Sequence, residues 1–134
     1  MQLRREETAR QLENVPTVLV VDDNAAVREM IASFFSHSGF EVLLANDGRE
    51  GVNTFQKHRD VVRVIVTDYA MPRLNGVDFI RTISDCLLGV PTILMSGDIS
   101  SLCEEELNMF ARCMTKPFDP SMLVANVRAV LDLR

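Results

Sequence analysis

Five polar side chains that could do chemistry stand at the ends of apolar segments of this chain. They are the carboxylates of Asp22, Asp23 and Asp68, the hydroxyl group of Ser96 and the ammonium group of Lys116. Carboxylate oxygens are ligands that Mg²⁺ prefers, and a lysine supplies a point positive charge. If these groups meet, they can accept a phosphoryl group on a carboxylate while the metal ion and the lysine offset the charge that develops.

Asp68 ends the most informative of these segments. The residues before it, 64–67, are apolar or β-branched and indicate a buried strand. After it, Pro72 and the Asn75-Gly76 pair indicate a loop that closes with a turn. Aspartate is common in turns for local reasons, so this segment alone is equally consistent with a structural role for Asp68.

The rest of the chain alternates short apolar segments with segments of helical periodicity. The predicted strands cover residues 17–21, 40–45, 61–67, 91–95 and 111–115. The predicted helices cover approximately residues 24–38, 47–58, 77–86, 101–109 and 119–131. Strands that alternate with helices predict a doubly wound α/β fold, in which a parallel sheet carries helices on both faces.

The first helix shows the clearest apolar periodicity. Val27, Met30, Ile31, Phe34 and Phe35 are spaced by three or four residues and share one face. This spacing predicts an amphipathic helix with one apolar face.

Caps are predicted for three of the other helices. Asp47, with Glu50 three residues later, resembles a capping box. Ser101 and Glu104 show the same spacing and predict the start of the short fourth helix. Asp119, followed by a proline, predicts the start of the last helix.

This alternation determines where the five polar groups should lie. The carboxyl ends of parallel strands share one edge of a sheet, and ligands bind there, at the point where the strand order reverses. Asp22 and Asp23 follow the first strand, Asp68 the third, Ser96 the fourth and Lys116 the fifth. We therefore expect them to converge. Adjacent carboxylates repel one another unless a cation joins them, which favours a Mg²⁺ site.

The composition argues against several classes of protein. A chain of 134 residues that is 47% hydrophobic and 25% charged is typical of one globular domain. The net charge of −5, without a basic cluster, disfavours nucleic acid as a direct partner. No apolar segment approaches the roughly 20 residues that span a membrane, so no membrane association is expected.

The cysteines and the N-terminus indicate a cytoplasmic protein. Cys86, Cys103 and Cys113 are odd in number and form no C-x-x-C pair, which is typical of a reducing compartment. The charged N-terminus lacks the apolar core of a secretory signal. We interpret residues 1–16 as a linker or tail and residues 17–134 as the folded domain.

Four motifs in this order resemble the receiver domain of two-component response regulators. The resemblance extends from residue 17 to the C-terminus and rests on Val20–Asn24, Asp68–Gly76, Leu94–Gly97 and Lys116–Phe118. It implies a flavodoxin-like (βα)5 fold whose five-stranded parallel sheet has the order 2-1-3-4-5.

The resemblance also implies a role for each polar residue in phosphoryl transfer. Asp68 matches the phosphoacceptor, a nucleophile toward a phosphohistidine. Ser96 matches the hydroxyl residue that reaches the phosphoryl group. Lys116 pairs with the carboxylate and then with the phosphate, and its bond to Pro117 is expected to be cis.

A Mg²⁺ ion is the cofactor that the resemblance implies. Asp23 and Asp68 match direct ligands, and Asp22 matches a ligand that acts through water. The backbone carbonyl of Ala70 matches the third protein ligand, so its side chain is free to vary.

One position departs from the family pattern. Receivers usually carry Tyr or Phe three residues before the lysine, and this ring turns inward together with the Ser/Thr residue at the switch position. Here that residue is Cys113, so no ring can move. The switch is therefore expected to depend on Ser96 and loop movement, or to be absent from a domain that only relays phosphate.

The expected function is phosphorelay signalling rather than enzymatic turnover, although the domain assists its own phosphorylation and dephosphorylation. Its partner would be a histidine kinase or a histidine phosphotransfer domain, with a weak homodimer as a further expectation. The chain is either a stand-alone regulator or, slightly favoured, the receiver of a hybrid sensor kinase connected through residues 1–15.

Three other functions fit parts of this pattern. The first is a degenerate receiver that binds partners without being phosphorylated, which the complete acidic set disfavours. The second is an aspartate-nucleophile phosphatase, which needs a second acid where this chain has Ala70. The third is a flavodoxin-like flavin carrier, but no Ser/Thr-rich phosphate loop follows the first strand.

Overall fold

Five short strands pair in parallel into one sheet with the order β2-β1-β3-β4-β5, which confirms the predicted fold. The computed structural model describes residues 15–132, so most of the predicted tail lies outside the described residues. The strands are β1 (Thr17–Val21), β2 (Glu41–Ala45), β3 (Val62–Asp68), β4 (Thr92–Ser96) and β5 (Arg112–Thr115). The order reverses between β1 and β3, so the switch point lies at the edge where the polar groups were expected.

Within residues 15–132, five α-helices connect and follow the strands. They are α1 (Ala25–His37), α2 (Gly48–His58), α3 (Gly76–Ile83), α4 (Glu104–Asn108) and α5 (Pro120–Val130). The predicted third helix is shorter than expected, because a 3₁₀ turn replaces its last residues, Ser84–Cys86. No helix among the described residues is both long enough and apolar enough to cross a membrane.

The core has two layers because both faces of the sheet are covered. Val18 and Val20 of β1 point into one layer, and Leu19 and Val21 point into the other. The first layer packs against α1 and α5, and the second against α2, α3 and the residues that flank α4. A strand that is buried on both faces needs apolar residues at every position, which explains the continuous apolar segment at 17–21.

The apolar face of α1 is only partly buried. Ile31 and Phe35 are buried in the core, but Met30 is 44% exposed and Phe34 is 41% exposed. The apolar arc of α1 is wider than the surface that the sheet and α5 cover. Part of it therefore faces solvent.

The predicted cap of α4 was wrong. Ser101 belongs to a 3₁₀ turn, Ile99–Ser101, and the N-cap of α4 is Cys103. The side chain of Glu106 accepts a hydrogen bond from the backbone N–H of Cys103 at 3.0 Å. The capping spacing recurs two residues later in the sequence, and the turn before α4 decides which of the two is used.

Candidate functional site

Three carboxylates meet at the carboxyl edge of the sheet. Asp22 and Asp23 follow β1 directly, and Asp68 is the last residue of β3. One carboxylate oxygen of each lies within 4.8 Å of the other two. Asp22 and Asp68 are buried, whereas Asp23 is exposed. The parallel pairing of β1 with β3 therefore brings together residues that are 46 positions apart in the sequence.

Asp22 is the most deeply buried of these acids, with an exposure of 0%. Its Oδ1 atom accepts a hydrogen bond from the backbone N–H of Asn24 at 2.9 Å. Its Oδ2 atom has no hydrogen-bond partner, although Lys116 Nζ lies 3.7 Å away, a distance that suits an ion pair but not a hydrogen bond. A buried carboxylate oxygen without a hydrogen bond is costly unless a cation stands near it.

Lys116 brings a positive charge to the same edge. It follows β5 directly, and its Nζ atom lies 3.0 Å from Oδ1 of Asp68. The backbone N–H of Lys116 donates to the carbonyl oxygen of Ser96 at 2.8 Å, which holds the two strand ends together. The bond between Lys116 and Pro117 is cis, in agreement with the resemblance.

The pKa of Asp68 is raised above its ordinary value. Burial of the carboxyl group is the largest cause, and the nearby charge of Asp22 acts in the same direction. The hydrogen bond and the positive charge of Lys116 lower the pKa but do not outweigh burial. One lysine therefore leaves the ionised form of Asp68 incompletely compensated.

Ser96 is the last residue of β4 and is 5% exposed. Its Oγ atom accepts a hydrogen bond from the backbone N–H of Asp98 at 3.2 Å. The carboxylate of Asp98 accepts hydrogen bonds from the backbone N–H and the hydroxyl group of Ser100. The hydroxyl proton of Ser96 takes no part in these bonds of the loop that follows β4, so it is free to be donated to another group.

Ala70 lies in a loop and Cys113 lies in a strand, both near this edge. Ala70 is exposed, two residues beyond Asp68 in the loop that precedes α3. Cys113 lies in β5, half-buried, and its Sγ atom is 4.0 Å from the carbonyl oxygen of Leu107. Burial raises the pKa of the Cys113 thiol, so the unreactive thiol form is favoured.

The structure adds side chains that the sequence did not single out. Arg28 of α1 donates from Nη1 to the backbone carbonyl of Asp22 at 2.7 Å. The hydroxyl group of Thr67 donates to the carbonyl oxygen of Asp68 at 3.0 Å. The first bond joins residues six positions apart and the second joins residues adjacent in the sequence, and neither residue type is unusual where it stands. No sequence pattern distinguished them.

This donor set fits a hard divalent cation. The three carboxylates converge, and Oδ2 of Asp22 is buried without a hydrogen bond. Oxygen ligands of this kind suit Mg²⁺, which commonly retains several water ligands and shares a phosphate oxygen. The exposure of Asp23 leaves one side of the cluster open to such ligands.

Comparisons with known proteins agree with this geometry. The family model described as "Response regulator receiver domain" matches residues 18–128. The chain is 36% identical over 126 residues to a probable transcriptional regulator, ycf27, of Guillardia theta, covering 90% of this chain and 47% of that protein. It is 30% identical over 117 residues to a CpxR homolog of Haemophilus influenzae, covering 85% of this chain and 49% of that protein.

A solved structure shows the same likeness in three dimensions. The chemotaxis response regulator CheY4 of Vibrio cholerae superimposes with a TM-score of 0.79 at 28% identity, covering 87% of this chain and 99% of that one. The chain spans about half the length of the two curated relatives above. The matched region includes the carboxylate cluster and all five strands, apart from Thr17 at the start of β1. The chain therefore belongs to the response regulator receiver domain family and acts in phosphorelay signalling.

Proposed function

We propose that Asp68 accepts a phosphoryl group from a phosphohistidine, carried by a histidine kinase or a histidine phosphotransfer domain. One observation carries this proposal. The Asp68 carboxylate lies 3.0 Å from the ammonium group of Lys116 and next to the carboxylates of Asp22 and Asp23. A buried carboxylate between a fixed cation and two other acids is placed to act as a nucleophile toward phosphorus.

The transfer step needs no further co-reactant. An oxygen of Asp68 forms a bond to phosphorus while the bond between phosphorus and the donor imidazole nitrogen breaks. The electron pair of that bond remains on the imidazole nitrogen, which takes up a proton from solvent. Lys116 stays close to the carboxylate and then pairs with a phosphoryl oxygen. The hydroxyl group of Ser96 donates a hydrogen bond to another phosphoryl oxygen.

Mg²⁺ is the cofactor we propose for this step. Asp23, Asp68 and the backbone carbonyl of Ala70 would hold it directly, with Asp22 acting through water. When bound, it supplies positive charge that offsets the charge of the transferring phosphoryl group. Without it, Lys116 faces three carboxylates alone, and Asp68 keeps its raised pKa.

The output follows from a shift between two states of the domain. If Ser96 turned toward the phosphoryl group, the loop that follows β4 would have to move with it. Hydrogen bonds of Asp98 and Ser100 hold that loop in its present form. Cys113 lacks the ring that usually accompanies this movement. The change would therefore depend on Ser96 and its loop, or the domain would relay phosphate without this readout.

The proposed setting is the cytoplasm, with residues 17–134 as one receiver domain. The domain assists its own phosphorylation and dephosphorylation but is not a turnover enzyme. A weak homodimer accompanies this proposal as a secondary expectation.

The test is the intact mass of the protein after incubation with acetyl phosphate. With Mg²⁺ present, the wild type should gain one phosphoryl group of about 80 Da. Asp68→Asn should gain none, because the amide oxygen is a poor nucleophile. Omission of Mg²⁺ should reduce the gain strongly.

A matched control is Asp85→Asn, which changes an exposed aspartate in the 3₁₀ turn after α3. This variant should be modified like the wild type. Modification of Asp68→Asn to the same extent as the wild type would move the acceptor to another residue. The absence of any adduct and of any response to beryllofluoride would favour a domain that binds partners without being phosphorylated.

A further inference from the structure

The loop from Tyr69 to Asn75 joins β3 to α3 and carries Ala70. Main-chain bonds fix its two ends. The N–H of Tyr69 donates to the carbonyl oxygen of Met95 at 2.8 Å, and the N–H of Gly76 donates to the carbonyl oxygen of Tyr69 at 2.9 Å. In the middle of the loop, Met71 is buried in the core, and a side-chain pair adds a second anchor beyond it. Arg73 Nη1 lies 3.0 Å from Oδ2 of Asp47.

Asp47 is a firmly held partner for this pair. It is 8% exposed and forms the N-cap of α2, with Oδ1 accepting from the N–H of Glu50 at 2.8 Å. Its other oxygen is thus directed to Arg73. The backbone beside it is also in close contact with the loop, because a Cβ atom on Gly48 would lie 2.5 Å from the carbonyl oxygen of Leu74. The start of α2 is therefore a rigid support for the loop.

Arg73 itself has an unusual backbone. Its φ angle is +71°, a conformation that a residue with a Cβ atom rarely adopts. Its side chain is 66% exposed, and exposed ion pairs contribute little to stability. Glycine would satisfy the backbone at lower cost. An arginine at this position, paired with a residue 26 positions away, suits positioning better than stabilisation.

We propose that Arg73 and Asp47 are a positioning pair, which holds the loop so that the carbonyl of Ala70 faces the metal ion beside Asp68. This inference rests on the proposed function. The pair does not touch the ion or the phosphoryl group. It limits the motion of the loop, so it should change how tightly Mg²⁺ binds and leave the phosphoryl transfer at saturating Mg²⁺ unchanged.

Mg²⁺ affinity can be measured without any phosphorylation. Tyr69 is the only tyrosine and the chain has no tryptophan, so tyrosine fluorescence reports on the residue next to Asp68. Asp47→Asn keeps an oxygen for the cap of α2 but removes the charge. Arg73→Gly removes the side chain and accepts the positive φ. Each should raise the dissociation constant of Mg²⁺ by roughly two- to fivefold, as expected for the loss of an exposed ion pair.

Three comparisons separate positioning from general stabilisation. The double variant should bind Mg²⁺ no more weakly than the weaker single variant, because both remove the same pair. Arg73→Lys should recover part of the affinity. Arg81→Gln breaks an exposed pair with Asp78 on α3, at 3.6 Å, and should leave the affinity at the wild-type value.

A second readout is the rate of modification by acetyl phosphate as a function of Mg²⁺ concentration. The Mg²⁺ concentration that gives half the maximal rate should rise in Asp47→Asn and Arg73→Gly, while the maximal rate stays within about twofold of the wild type. Equal Mg²⁺ affinity in the wild type and both variants would overturn the role of the pair but would leave the proposed function standing. A wild type that does not bind Mg²⁺ overturns the proposed function together with this inference.

Discussion

At the scale of single residues, the site is governed by an imbalance of charge. Asp22, Asp23 and Asp68 meet within 4.8 Å, and Lys116 is the cation that contacts two of them. Burial makes this imbalance costly for Asp68, whose pKa is raised above its ordinary value. The excess of negative charge lowers the stability of the metal-free domain, and the same excess gives the site affinity for a cation.

Asp68→Asn should stabilise the metal-free domain at neutral pH. Because its pKa is raised in the folded state, Asp68 holds its proton more tightly in the folded than in the unfolded chain. Its favourable contribution is complete below the ordinary pKa of 3.8 and is lost as the pH rises through the folded-state pKa. Urea unfolding with a chelator present should give Asp68→Asn the higher free energy of unfolding at pH 7.

The same comparison at lower pH serves as the control for this prediction. The difference in free energy of unfolding between Asp68→Asn and the wild type should shrink between pH 7 and pH 4, as the wild-type carboxyl group takes up its proton. If the variant is less stable than the wild type at pH 7, the ion pair with Lys116 outweighs burial and repulsion.

At the scale of the elements, α1 shows how packing divides one apolar face. Ile31 and Phe35 pack into the layer that α1 shares with α5. The guanidinium group of Arg128, on α5, donates to the carbonyl oxygen of Ser38 at 2.8 Å and fixes the end of α1. Phe34 follows the same periodicity but lies beyond the covered surface, 41% exposed.

Phe35→Ala and Phe34→Ala should therefore differ strongly in stability, although they remove the same atoms from adjacent positions of one helix. Phe35→Ala leaves a cavity in the core and should cost about 3–5 kcal/mol in the free energy of unfolding. Phe34→Ala should cost below about 1 kcal/mol. Helix propensity changes equally in both, so denaturant unfolding compares burial alone. Similar losses in the two variants would mean that the exposed side of α1 is packed in solution.

At the scale of the whole molecule, the site joins parts that are distant in the sequence. The carboxylates follow β1 and end β3, and Lys116 follows β5 at the edge of the sheet. A cation bound by Asp22, Asp23 and Asp68 would link the ends of β1 and β3, the two central strands at which the strand order reverses. Binding to the folded state alone must then stabilise the entire domain.

Mg²⁺ should raise the temperature at which the wild type unfolds. At a concentration ten times the dissociation constant, the gain is about 1.4 kcal/mol, or roughly 4–8 °C for a domain of this size. The shift should be much smaller in Asp68→Asn, which loses one ligand. Scanning calorimetry with and without Mg²⁺ measures both. An equal shift in wild type and variant would place the bound ion elsewhere.

Much of this domain follows from its sequence alone. Local periodicity predicted every strand and the alternation with helices, because a strand covered on both faces must be apolar throughout and a helix must be apolar on one side. Once the sheet is parallel, its carboxyl ends share one edge. The meeting of Asp22, Asp23, Asp68 and Lys116, and the position of Ser96 at the end of β4, were therefore predictable without coordinates.

Only the tertiary structure decided the features that depend on distance and coverage. The exposure of Phe34 depends on how much of α1 its neighbours cover, and the start of α4 at Cys103 depends on the turn before it. The pair between Arg73 and Asp47 joins two loops 26 residues apart, and nothing local to either residue predicts it. Sequence patterns record the environment that each residue requires, whereas packing determines which residues meet.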